Sequence, residues 1–398
     1  MLKKFLSHIP AVATSASAIM LVAVHVAAQT AVREPIKIGL VMPLTGVLAA
    51  VGKQAVAGAR LYMAQHGDTV AGRKIELIVR DDGSAPDVSK RIAQELIVSE
   101  KVAVIGGGAT PNVLAIAPLI SESKTATVVM VSGTSIVTEK SPYFVRTSWT
   151  HAQQASVLAN WAAKSGSKRV TIVASDWAPG AEASGIFSET FRKAGGEIPE
   201  TIKVPLANTD FSPFLQRARD SAPDTLFVFV PVNQAAALAK QFVERGLDKT
   251  GIRLIGPGDI TDDQDLSEMS DAMIGTVTSG FYSAFHSSTL NKDYVAAFRK
   301  ANAGKRPNFI SVSAYDGMHL IYEALKKTGG YTDGDALVGA MKGMAWESPR
   351  GPISIDPETR DIVQTIYIRK VERVDGELVN VELEAFPDVK DPVKAAGK

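Results

Sequence analysis

An α/β fold of mostly parallel sheets is what this sequence predicts, and three observations predict it. Short apolar, β-branched runs recur along the chain, Ile36 to Met42 being the first. They alternate with segments whose apolar residues fall at helical spacing. The runs are continuously apolar, as in strands that helices bury on both faces. Too many of them precede residue 260 for one small sheet, so two α/β domains fit better.

The elements follow in order. After the strand Ile36 to Met42, Pro43-Leu44-Thr45-Gly46 breaks the run and Val51 to Gln65 is helical. Lys74 to Val79 is a strand ending in Arg80-Asp81-Asp82-Gly83. A helix over 87–99, a strand over 102–105, a helix over 111–121 and a strand over 127–131 complete the first half. The alternation resumes with helices near 151–164, 181–194, 211–220 and 234–246. Strands at 170–174, 201–205, 225–230 and 252–256 separate them. The segment 289–345 is helical by pattern and 351–383 is β-rich. The last residues, 386–398, are charged and contain proline, which predicts a frayed tail. There is no low-complexity linker, so short loops or strands must join the domains.

Composition excludes several function classes. The 398 residues carry 43 Lys+Arg against 42 Asp+Glu, a net charge of +1. That balance argues against a nucleic-acid binder. With 0 cysteines there are no disulfides, thiolate metal sites or thiol nucleophiles. Lys3 and Lys4, an apolar stretch and Val26-Ala27-Ala28 read as a secretory signal peptide cut near Ala28, residues 1–28. Cleavage removes both lysines and no acid, leaving a net charge of −1. No later segment reaches the ~18 consecutive apolar residues of a membrane span, so a soluble mature protein outside the cytoplasm is expected.

Catalytic motifs fail on inspection. Gly46 to Gln54 resembles a phosphate loop, but its spacing is one residue too long and Gln54 stands where a Ser or Thr would hold magnesium. Gly106-Gly107-Gly108 follows a strand, but Pro111 occupies the last glycine position of a dinucleotide fingerprint. There is no G-x-S-x-G and no H-E-x-x-H. His66, His151, His286 and His319 lie far apart, which predicts no metal and no cofactor. Asp81-Asp82 and Asp262-Asp263 read as solvated turn residues rather than acid/base pairs.

What remains is a set of strand-to-helix junctions. In Ala109-Thr110-Pro111, Pro111 suits the first helical position and Thr110 the N-cap. A helix start offers unpaired N–H groups and partial positive charge, which suit a carboxylate. Ser132-Gly133-Thr134, just after the next strand, offers hydroxyls and bare backbone at a sheet's carboxyl edge, where ligands of open α/β sheets bind.

At these residues the chain resembles the extracytoplasmic solute-binding proteins of branched-chain amino acid type ABC importers. This is the leucine/isoleucine/valine-binding family, with the type I periplasmic binding fold. The matching pieces include Ile36 to Gly39 with Pro43-Leu44-Thr45-Gly46, Ile75 to Asp82, Val104 to Gly107, Val128 to Thr134, Phe144 to Thr147, Ile255 to Gly258 and Ala314 to Gly317.

The resemblance implies two doubly wound lobes, three crossovers and a ligand cleft between the lobes. The crossovers would fall near 147–151, 277–284 and 347–355. Lobe 1 would be 32–148 plus 280–350, and lobe 2 would be 149–279 plus 351–385. It implies that Thr110, Ser132 and Thr134, with Ala109 and Gly133 beside them, hold a ligand carboxylate. It also implies an ABC permease as partner, a small-molecule carboxylate as ligand, no enzyme activity, and a monomer.

Two departures bear on the ligand. Where the amino acid binders place an aromatic before a glycine, this chain has Pro179, with Trp177 earlier. Their acid after Gly-Pro, which pairs with the ligand ammonium, comes one residue later here, as Asp259. Trp149, Trp177, Phe281 and Tyr282 would wall the cleft, suiting a flat or apolar carboxylate. Two ligand classes stay open: branched-chain or other apolar amino acids, and aromatic or short aliphatic acids. Urea and amide binding, and a sensor reporting to a signalling receptor, are further alternatives.

Overall fold

The computed structural model describes residues 34–207, 210–266 and 269–395. The expected signal peptide lies outside the described residues. From the amino end, the elements are β1 (Ile36–Met42), α1 (Ala49–His66), β2 (Thr69–Val70), β3 (Arg73–Asp81), α2 (Pro86–Val98), β4 (Val104–Gly107), α3 (Thr110–Ser123), β5 (Ala126–Val129) and β6 (Phe144–Arg146). Then come α4 (His151–Lys164), β7 (Val170–Ser175), α5 (Ala178–Lys193), β8 (Thr201–Val204), α6 (Ser212–Asp220), β9 (Thr225–Phe229), α7 (Val232–Glu244), β10 (Arg253–Pro257) and β11 (Val277–Gly280). The chain ends with α8 (Thr289–Ala301), α9 (Phe309–Lys327), α10 (Gly334–Met341), β12 (Ala345–Ser348), β13 (Gly351–Ile355), β14 (Ile362–Val374), β15 (Glu377–Val389) and α11 (Pro392–Ala395).

Two sheets result. The first runs β2-β3-β1-β4-β5-β6 and is parallel except for the β2–β3 hairpin. The second runs β12-β13-β14-β11-β10-β9-β7-β8, with β15 paired along β14. Its β8-β7-β9-β10-β11 part is parallel, and β14 joins antiparallel. Burial explains the continuous apolar runs. On β9, Leu226 and Val228 face one hydrophobic cluster while Phe227 and Phe229 face the other, so both faces are covered.

The helices of 289–341 return to the first half of the chain. α9 packs along α1, and Gly58 permits the approach, since a Cβ there would lie 1.9 Å from the Ser311 carbonyl oxygen. The chain therefore passes between the two layered bodies at 147–150, 281–288 and 342–344. The third passage comes earlier than expected. β12 pairs with β13 in the second sheet, so 345–350 does not belong with the first lobe. Its short, largely exposed Ala-Trp-Glu-Ser run gave no strand signal.

The tail also departs from expectation. β15 continues to Val389, whose carbonyl accepts from Gln153 at 2.7 Å, and Lys394 pairs with Asp361 and the Thr138 hydroxyl. The adjacent acids depart further. Asp81 is exposed and pins the 44–45 turn, but Asp82, Asp262 and Asp263 are buried. Asp82 accepts from Ser89 at 2.9 Å and Asn112 at 2.7 Å, and Asp262 accepts from Asn308 at 2.8 Å. They are internal hydrogen-bond anchors.

Candidate functional site

A small cavity of about 60 Å³ lies where the carboxyl edges of the two sheets meet. Ala109, Thr110 and Gly133 reach it from the first sheet's loops. Trp177, Pro179, Phe229 and Asp259 reach it from the ends of β7, β9 and β10. Trp149 and His151 come from the first crossover, and Phe309 from the start of α9.

Three hydroxyls meet at one wall. Thr110 Oγ1 lies 2.6 Å from Ser132 Oγ and 3.2 Å from Thr134 Oγ1. Ser132 and Thr134 do not themselves line the cavity but are joined to it through Thr110. Thr110 is the first residue of α3 rather than its N-cap; Ala109 takes that place, and no side chain caps the helix. The hydroxyl is therefore not spent on the helix end.

A buried arginine fixes this loop. Arg146 donates to the carbonyls of Ser132 at 2.6 Å, Thr134 at 2.7 Å and Trp149 at 3.0 Å, and its Nε meets Asp361 at 2.7 Å. His151 N–H takes the carbonyl of Gly133 at 2.8 Å. All three loop carbonyls are thus engaged within the protein, and the Thr110 hydroxyl stands at the cavity wall. The packing favours glycine at 133, where a Cβ would lie 2.5 Å from His151 Nε2 and 2.6 Å from Trp149 Nε1.

The aromatic wall is partly as expected. Trp149 stacks on Phe281, 5.6 Å between centroids, and meets Phe309 edge-on at 4.9 Å. Phe281 therefore backs Trp149 rather than lining the cavity. Tyr282 is displaced from its expected role: it is fully buried against Tyr294, and its carbonyl accepts from Arg369.

His151, Phe229 and Phe309 were not anticipated. His151 packs edge-on against Phe229 at 4.9 Å. Its sequence signal was the Thr150-x-x-Gln153 capping box, which starts α4 at the crossover and points the next side chain inward.

Among the described residues, no lysine or arginine lines the cavity. Burial, aided by the Arg146 charge, lowers the His151 imidazole to about 3, so the ring is neutral. Burial raises the Asp259 carboxyl to about 7, against the opposing pull of its own backbone N–H and of Arg369. Four buried polar atoms here lack a hydrogen-bond partner: Trp149 Nε1, Trp177 Nε1, His151 Nδ1 and Asp259 Oδ2. Unpaired polar groups in an apolar wall are costly, and all four belong to residues that line this cavity. No group of three or more metal-ligating side chains occurs among the described residues, and no helix is long and apolar enough to cross a membrane.

Comparison with known proteins agrees with this architecture. A family model described as periplasmic binding protein matches residues 35–377. A solute-binding protein of an ABC transporter from Rhodopseudomonas palustris BisB5, solved with 3,4-dihydroxybenzoic acid, is 59% identical. It covers 90% of this chain and 99% of its own, with a TM-score of 0.89. Its counterpart from Rhodopseudomonas palustris HaA2, solved with p-hydroxybenzoic acid, is 41% identical, covers 91% and 100%, and has a TM-score of 0.87. The Leu/Ile/Val-binding protein homolog 6 of Brucella suis is 41% identical over 92% of this chain and 95% of its own. Two α/β lobes, a cleft at their carboxyl edges and a match over nearly all the described residues place the chain in the periplasmic binding protein family, with the type I fold, as an ABC-transporter substrate-binding protein.

Proposed function

We propose that the chain captures a small aromatic carboxylate outside the cytoplasm and delivers it to an ABC permease in the membrane. The observation that carries this reading is the pairing of the Thr110 hydroxyl, backed by those of Ser132 and Thr134, with the rings of Trp149, Trp177, Phe229 and Phe309 in one cavity. A carboxylate would accept from the hydroxyls and from the free N–H groups at the start of α3, as charge-assisted hydrogen bonds. The rings would cover the flat apolar part. The similarity to proteins solved with hydroxybenzoic acids supports the same class.

The binding step is lobe closure. One body is the first sheet with α8, α9 and α10, and the other is the second sheet with its helices. Ligand contacts made with both bodies favour the closed form, which the permease would recognise. No covalent step is involved. The segment before the first strand would be removed on export, leaving the binding protein in the periplasm.

A second reading, an apolar amino acid, is favoured by Asp259, an acid at the cavity wall that would meet an ammonium, and by the names of the Brucella relatives. Calorimetric titration with benzoate, 4-hydroxybenzoate, leucine and valine separates the two. The aromatic reading expects binding of the benzoates, lost at least about a hundredfold in a Thr110→Ala, Thr134→Ala variant of unchanged fold. Binding of leucine or valine alone would overturn it.

A further inference from the structure

We infer that Asp259 recognises a ring hydroxyl of the ligand, so that the cavity selects hydroxylated aromatic acids over unsubstituted ones and over α-amino acids. This rests on the aromatic-carboxylate reading above and assigns a residue to its specificity.

The first observation is an unused acceptor. Asp259 sits in the turn after β10, is 6% exposed, and lines the cavity. Its Oδ2 has no hydrogen-bond partner. The cation that acts on it, Arg369, is engaged elsewhere, with the Tyr282 carbonyl, the Thr278 hydroxyl at 3.2 Å and Asp263 at 3.8 Å. A buried carboxyl oxygen without a donor is expensive to keep, and a ligand that brings a donor removes the cost.

The second observation concerns which donor suits. Indole N–H groups only donate, so Trp149 and Trp177 need acceptors from the ligand. A hydroxyl both donates, to Asp259, and accepts, from an indole. Benzoate brings acceptors but no donor, and leaves Asp259 as it was. An α-ammonium brings three donors, of which the unpartnered oxygen of Asp259 meets one. Burial also favours the uncharged carboxyl, which accepts from a neutral hydroxyl but does not neutralise an ammonium.

The test is calorimetric titration of the exported chain and of its Asp259→Ala and Asp259→Asn variants, each checked by circular dichroism. The ligands are benzoate, 4-hydroxybenzoate, 3,4-dihydroxybenzoate and leucine. The unaltered chain should bind at least one hydroxylated acid about tenfold or more tighter than benzoate. Asp259→Ala should bring that ratio near one, and Asp259→Asn, which keeps an acceptor of the same shape, should retain part of it. Equal affinity for benzoate and both hydroxylated acids, or a preference that survives Asp259→Ala, overturns the inference and leaves the aromatic reading standing. Binding of leucine without any aromatic acid overturns both.

Discussion

Arg146 and Asp361 form a buried ion pair, Nε to Oδ1 at 2.7 Å, with 0% and 2% of their side chains exposed. The pair ties β6 of the first sheet to the start of β14 in the second. The same guanidinium holds the Ser132–Thr134 loop and the first crossover through three carbonyls. One residue thus shapes the hydroxyl cluster and anchors the hinge beside it.

Arg146→Lys should therefore be far from conservative. Lysine keeps the charge but has three donors on one atom, against four partners spread over a planar fork. Breaking a buried pair typically costs about 3–5 kcal/mol, and the retained charge places this variant near the lower figure. Urea unfolding should show that loss, and ligand affinity should fall with it because the loop is released. An unchanged unfolding midpoint would show that the brace does not hold the loop.

Gly133→Ala separates ligand geometry from stability. Alanine is compatible with the backbone here, because Gly133 is not among the residues of positive φ. The clash is with His151 Nε2 and Trp149 Nε1, at 2.5 and 2.6 Å from the new Cβ. Both rings must move, and both line the cavity. Overpacking of this kind costs about 1–3 kcal/mol. Affinity should fall about tenfold or more, since a displaced wall no longer fits. Calorimetry beside thermal melting checks this; a melting loss with undiminished affinity would mean the rings are not part of the seat.

The sequence revealed what depends on local chemistry. The strand-turn-helix junctions gave Thr110, Ser132 and Thr134 because Pro111 and the small-residue turn sit at readable positions after apolar runs. What escaped depends on distant partners. Arg146 and Asp361 are 215 residues apart, and nothing in either neighbourhood pairs them. His151 looked like one of four isolated histidines until the crossover turned it inward. The tail from 386 looked frayed because its residues are charged and contain proline, yet β14 supplies a ladder as far as Val389. Asp262 and Asp263 looked solvated because their partners, Asn308 and Asn380, lie far along the chain.

His151 and Asp259 titrate against each other in stability. The His151 pKa falls from 6.5 to about 3, so its contribution is full above pH 6.5 and is lost as pH falls toward 3. The Asp259 pKa rises from 3.8 to about 7, so its contribution is full below pH 3.8 and is lost as pH rises toward 7. Between about pH 4 and 6.5 the folded chain keeps one proton that the unfolded chain releases, and lacks one that it binds. The two slopes cancel. His151→Gln should leave stability falling with rising pH by about 1.4 kcal/mol per unit relative to the unaltered chain. Asp259→Asn should leave it rising by a similar amount, and the double variant should run parallel to the unaltered chain. Urea unfolding at pH 4, 5, 6 and 7 reads the slopes; single variants parallel to the unaltered chain would refute the opposed titration.

Glu182 is the test of closure. It stands on α5 of the second body and accepts from Ser135 of the first, from the backbone N–H at 3.0 Å and the hydroxyl at 2.9 Å. Two donors on one carboxylate hold the lobes together beside the cavity without entering it. Burial raises the Glu182 pKa, and the Asp391 charge adds to this, while the Ser135 bonds and Arg146 oppose it. Acidification through that raised pKa should protonate the carboxyl and weaken the latch, so closure should be weaker in acid than at neutral pH. Glu182→Ala removes the latch at every pH. A hydrogen bond to a charged group is worth about 1.5–3 kcal/mol, and partial exposure reduces it, so ligand dissociation should speed up about tenfold. Association should change little, because the ligand meets the open form first. Stopped-flow tryptophan fluorescence, with Trp149 and Trp177 as reporters, measures both rates. A dissociation rate equal to that of the unaltered chain would mean that the lobes close on the ligand alone and that Ser135–Glu182 merely accompanies it.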